Sequence, residues 1–200
     1  RLFHRQHRRL SLTRADAKMR RKGGVKMNEM LELIKTRRSV RAYQRDMVPR
    51  ELIDQIVEAG LYAPSGMNRQ PVIIIAVSDP KTRDALSRLN ASIMGTDGDP
   101  FYGAPVVLIV LADRSAPTYL YDGALAMENL MLAAHASGLG SCWIHRAKEA
   151  FERPEGKQIL KELGIEGDYE GIGHCVLGYP QQEGPSKTPP RKAGRVYHID

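Results

Sequence analysis

Two hundred residues with 42% hydrophobic content are enough for one filled core and point to a single domain. The two cysteines, Cys142 and Cys175, stand far apart with no CxxC or Cys/His ligand spacing, which argues against a disulfide scaffold or a zinc site and suits a reducing cytoplasm. The net charge of +7 is confined to one end: residues 1–26 hold ten Lys/Arg against Asp16 alone, so the rest of the chain is slightly acidic and offers no basic nucleic-acid face.

That arm, with little apolar periodicity, is expected to be disordered. It suits either polyanion binding or an extension ahead of a natural start near Met27, and the lack of an initiator Met favours the second. The folded domain is then 27–200. Its longest apolar runs, Val72–Val77 and Ala104–Ala112, have strand length, and no signal-like segment opens the chain, so a cytoplasmic protein with no membrane partner is expected.

A short amphipathic helix is predicted over Asn28–Thr36, and Arg37-Arg38-Ser39-Val40-Arg41 follows where it runs out. Three guanidiniums and a hydroxyl in five residues can grip a phosphate with forked, charge-assisted bonds. Arginines at a helix C-terminus also suit its dipole with no ligand present, so the pentapeptide alone leaves both readings open. A second helix is marked by Pro49, Glu51 and the apolar face Leu52, Ile53, Ile56, Val57 and Leu61, ending near Tyr62. The loop Ala63–Pro71 then carries Pro64, Ser65, Gly66, Asn68 and Gln70. Amide side chains there suit the polar edge of a heteroaromatic ring, or simply a helix-to-strand connection.

Val72–Val77 reads as a strand, and Pro80–Leu89 as a surface helix capped by Asp79. Asn90–Gly103 reads as a loop beside the active site, and Ala104–Leu111 as a second buried strand. The longest helix, Thr118–Ser137, is apolar almost all round, as in a core or a subunit interface; Asp122, Glu128, Asn129 and His135 within it are taken as exposed or hydrogen-bonded. Gly138 ends it, and Ser141–Ile144 (strand), Pro154–Leu163 (helix) and Gly171–Leu177 (strand) follow. Adjacent His174 and Cys175 point to opposite faces of that strand and make no dyad, and Cys142 reads as a buried structural thiol. The tail, with Lys187-Thr188-Pro189-Pro190-Arg191-Lys192 and a β-like Val196–Ile199, has no core of its own and is expected to lie across another surface.

In order, Arg-Arg-Ser-x-Arg, Ala-Pro-Ser-Gly-x-Asn-x-Gln-Pro, Gly-Leu-Gly-Ser-Cys-Trp-Ile and Gly-Tyr-Pro with a late Pro-Pro-Arg-Lys make the chain, over residues 28–200, resemble the nitroreductase family of FMN-dependent oxidoreductases. The resemblance implies an α+β fold, a central mainly antiparallel sheet flanked by helices, and a homodimer with FMN at the interface and exchanged C-terminal strands. It assigns Arg37, Arg38, Ser39 and Arg41 to the phosphate and ribityl chain, with Arg191 and Lys192 as a second basic element. It assigns Pro64, Ser65, Gly66, Asn68 and Gln70 to a loop that reaches the flavin, partly from the partner subunit. Trp143, Ile144 and His145 fall beside the ring, where a backbone N–H approaches flavin N5.

The implied reaction carries electrons from NADH or NADPH through FMN to an electron-poor small-molecule acceptor in a ping-pong cycle, with no dedicated catalytic side chain. Other readings are a specialised relative (a flavin reductase, a reductive dehalogenase, a flavin-destructase-like enzyme or a cofactor-biosynthetic reductase), a non-catalytic flavin protein, and a nucleic-acid module resting on the arm. The chain departs from the family in having Val72 where a Trp is common, and in the short span from Pro80 to Thr118, which implies a smaller lid and a more open pocket.

Overall fold

A computed structural model of the chain describes residues 28–182 and 188–199. The basic arm and Lys187 of the tail motif lie outside them. Asn28 caps α1 (Glu29–Thr36) by accepting the Met30 N–H, and α2 (Arg50–Leu61) turns Ile53 and Ile56 inward. Pro49 stands one position earlier than the sequence predicts, as the residue just outside α2.

After β1 (Val72–Val77), α3 (Pro80–Met94) is capped by Asp79, which accepts the Thr82 N–H at 2.8 Å. The predicted stop at Leu89 is too early. Leu89, Asn90 and Ala91 are all buried, and the helix runs on until Gly95 adopts the left-handed conformation at φ 74°. Burial overrides the polar and glycine-rich composition that suggested a loop. Next come β2 (Val106–Asp113), α4 (Tyr119–Ala136) and β3 (Gly140–Ile144). A six-residue helix that the sequence reading missed, α5 (Ala147–Glu152), leads into α6 (Pro154–Glu162) and β4 (Tyr169–Gly178).

The four strands form one antiparallel sheet in the order β1-β2-β4-β3. Strand β2 is buried on both faces, which is why it reads as an unbroken apolar run, and its alternation divides the core in two. Val106, Leu108, Val110 and Ala112 pack against Ile53 and Ile56 of α2 and Met127, Leu130 and Ala134 of α4. Val107, Ile109 and Leu111 face Leu86 and Leu89 of α3, and Ala150 and Phe151 of α5. Each large aliphatic side chain buried this way contributes about 1.5–3 kcal/mol. The fold is α+β with helices on both faces of the sheet.

Strand β3 is an edge. Beside it runs the segment after α1, through a parallel Ser39–Ser141 bridge and the Val40 N–H bound to the Ser141 carbonyl at 2.9 Å. Residues 188–199 form no helix or strand in their own chain, and Val196, Tyr197 and Ile199 are exposed. Among the described residues no helix is long and apolar enough to cross a membrane.

Candidate functional site

Gly140 brings the basic segment to the sheet. A Cβ there would lie 2.8 Å from the Val40 side chain, so only glycine lets Val40 close on β3. Arg37 has extended backbone and ends α1, and the chain stays extended as it passes β3. The consequence is a charged cluster without enough counter-charge. Among the described residues, Nε and Nη1 of Arg37, and Nε and Nη2 of Arg38, are buried with no hydrogen-bond partner. Among the described residues the Arg37 guanidinium has only a long ion pair, 3.7 Å to Glu128, and Arg38 Nη1 donates to the Arg37 carbonyl. Buried guanidinium donors left unmade are costly, so this cluster is built to meet an anion.

Two residues past Ser39 the chain enters a cavity of about 330 Å³. Arg41 lines it with Met94, Thr96, Gly98, Asp99, Pro100, Tyr102, Cys142, Trp143, Ile144, His145 and Arg146. The size suits a ring-bearing small molecule. The predicted Arg41, Trp143, Ile144 and His145 therefore meet in one place, and the later part of the predicted 90–103 loop does border them.

Asp99 anchors that loop. It accepts from Arg83 Nη2 and Ser87 Oγ, both at 2.5 Å, and from the N–H groups of Phe101 and Gly103. Burial opposes its ionisation, but these donors outweigh burial and hold its carboxyl below the usual range. With its charge consumed, Asp99 leaves Arg41 and Arg146 to set the sign of the cavity.

The loop with Pro64, Ser65, Gly66, Asn68 and Gln70 is not part of that lining. Met67, Asn68 and Gln70 all have positive φ (54°, 53° and 49°), and Met67 is 86% exposed. Such backbone persists only where the surroundings enforce it. Here the buried Asp122 accepts the Gly66 N–H at 3.1 Å and the Thr118 hydroxyl at 2.8 Å, while Ser65 Oγ accepts the Gln70 N–H and Gln70 Nε2 donates to Asn68 Oδ1. Arg191 and Lys192 are exposed and also stand outside the cavity lining.

The sequence reading places the 94–102 lining only as a loop beside the site and takes His135 as exposed or hydrogen-bonded; it does not single out Asn90 or Arg146 as site residues. His135 Nε2 lies 3.0 Å from Thr36 Oγ1 beside the basic cluster; burial lowers its proton affinity, and the charges of Arg37 and Arg38 add to that. Its spacing of seven from Glu128, two turns along one helix face, was a usable signal. His174 lies behind the site, fully buried against Phe101 (ring centroids 5.2 Å apart) and beside the backbone of Ile144 and His145. Burial pushes it down to about 4, so it is neutral at pH 7. Cys142 is a buried free thiol; so is Cys175, whose burial raises its thiol far above the usual range.

Residues 34–96 and 93–179 match the model of the nitroreductase family. An FMN reductase [NAD(P)H] of Bacillus subtilis is 38% identical over 184 residues, covering 80% of this chain and 70% of that protein. Among solved structures, a nitroreductase with bound FMN from Bacteroides fragilis superposes with a TM-score of 0.78 at 33% identity, covering 87% of this chain and 100% of that one. Another with bound FMN, from Desulfitobacterium hafniense, gives 0.76 at 26% identity, covering 87% and 100%.

Proposed function

The chain belongs to the nitroreductase family, and on that premise we propose that it is an FMN-dependent oxidoreductase carrying electrons from NADH or NADPH to an electron-poor small molecule such as a quinone or nitroaromatic. The observation that carries this reading is the set of buried, unpartnered guanidinium nitrogens of Arg37 and Arg38, joined through Arg41 to a ring-sized cavity. These residues fit the group: a phosphate supplies the missing acceptors, and a flat heteroaromatic ring suits a wall that includes Trp143.

FMN, when bound, would supply the two-electron redox chemistry between nicotinamide and acceptor. The chain's own residues bind and orient. Arg37, Arg38 and Ser39 hold the phosphate and ribityl chain. Arg41 places positive charge at the cavity wall, where it would favour negative charge on a bound ring. Trp143, Ile144 and His145 form the side that offers a backbone N–H. No side chain need act as nucleophile or proton donor, and one cavity serves nucleotide and acceptor in turn, which is a ping-pong order.

Two copies complete the site in this reading. It is supported by the position of Pro64, Ser65, Gly66, Asn68, Gln70, Arg191 and Lys192 outside their own chain's cavity, and by exposed Met30, Leu31, Ile34, Leu120, Tyr121 and Leu125 on α1 and α4. The tail with Val196–Ile199 then crosses to the partner's sheet.

The test is a visible spectrum after incubation with FMN. A yellow dimer is expected, bleached anaerobically by NADH or NADPH and restored by a quinone. A colourless monomer that refuses FMN overturns the reading, and a bound flavin that neither nucleotide bleaches replaces it with a non-catalytic flavin protein.

A further inference from the structure

Asn90 is a polar residue in the middle of a helix and is fully buried. Both ends of its amide are used across the fold. Nδ2 donates to the His145 carbonyl at 2.9 Å, and Oδ1 accepts from Arg146 Nε at 3.1 Å. Nothing in α3 requires this, since Asn is a mediocre helix former and an apolar side chain would fill the space with no polar atoms to satisfy.

The amide clamps a place where the backbone is held against its preference. Arg146 sits in the left-handed region at φ 73°, a conformation that costs a non-glycine residue about 1–2 kcal/mol. It follows the last β3 pair, Ile144 with His174, and both His145 and Arg146 line the cavity. The His145–Arg146 peptide is trans, so its N–H points opposite to its C=O. Tying that carbonyl to Asn90 therefore turns the Arg146 N–H away from Asn90.

We propose that Asn90 is a positioning residue for the flavin site: by fixing the His145 carbonyl it aims the Arg146 backbone N–H at the polar edge of the ring, a donor that favours the reduced, more negative form. The inference rests on the flavin reading above. It predicts a division of labour, with Arg37 and Arg38 setting how tightly oxidised FMN is held and Asn90 setting how much more tightly the reduced form is held.

The experiment compares wild type, N90A and N90D as dimers loaded with FMN. N90D is close in shape and still accepts from Arg146, but at neutral pH it cannot donate to the His145 carbonyl. In both variants the dissociation constant of oxidised FMN, read from quenching of Trp143 fluorescence, is expected to change less than threefold. The midpoint potential is expected to fall by an amount equal to a tenfold loss of preference for reduced flavin, about 30 mV for a two-electron couple. If N90A does not fold, N90L, which removes the donor without adding charge, carries the test, because the carboxylate of N90D lowers the potential by its charge alone. Wild-type potential in the FMN-loaded variants overturns the role of Asn90 while leaving the flavin reading intact, whereas wild-type protein that takes no FMN overturns both.

Discussion

Arg38 concentrates the conflict between stability and binding. Among the described residues, two of its nitrogens are buried without partners, and unlike Arg37 it makes no ion pair to a carboxylate. Replacing it with Met removes charge-assisted bonds worth about 1.5–3 kcal/mol each, so FMN is expected to bind R38M at least tenfold more weakly. The flavin-free variant is expected to melt no lower than wild type, because an unmet buried charge has been removed. A melting temperature that drops together with affinity would make Arg38 structural.

His174 gives the second prediction at this scale. Its folded-state value of about 4 lies below the unfolded value near 6.5, so the unfolded chain binds the proton first. Its contribution to stability is full above pH 6.5, falls by a few kcal/mol as the pH drops from 6.5 to 4, and is spent below that. His135 adds to the upper part of the same window, whereas Asp99, held below the usual carboxylate value, acts only at lower pH. Urea unfolding of H174L across pH 4–7 is expected to show a flatter slope than wild type. An unchanged slope would mean that other groups govern the acid response.

Among the elements, the 65–70 turn and α4 depend on each other through one contact. A Cβ on Gly66 would sit 2.2 Å from Thr118 Oγ1, and that hydroxyl also donates to Asp122, which accepts the Gly66 N–H. G66A is therefore expected to lose about 1–3 kcal/mol by overpacking. The double variant G66A/T118A, which removes the obstructing oxygen, should recover much of that loss in denaturant unfolding. Strictly additive losses would show that the two positions are not coupled. Asp122 also shows where a default reading was too plain. The sequence allowed it to be hydrogen-bonded, and the fold makes it the buried anchor of Gly66, 56 residues away in the chain.

For the whole molecule the expectation is a dimer whose tails complete the partner's site. Sedimentation should give twice the chain mass, and deleting residues 188–200 should loosen FMN retention and the dimer together. A monomeric wild type that still binds FMN tightly would sink this. Much of the architecture was legible in the amino-acid order. Continuous apolar runs of strand length and capped, periodic helices are written locally, so the four strands and five of the six helices were found, and the four short motifs in order resembled the right family. The end of α3 and the existence of α5 were not legible, because Asn90 and Phe151 are buried by partners distant in sequence. The motif arginines could be named, but that their nitrogens lack partners, that Asn90 clamps Arg146, and that the Asn68–Gln70 loop stands outside its own chain's cavity were decided only by tertiary packing. Those facts depend on which backbone and side-chain groups distant segments leave unmatched when they meet, and no local run of residues carries that information.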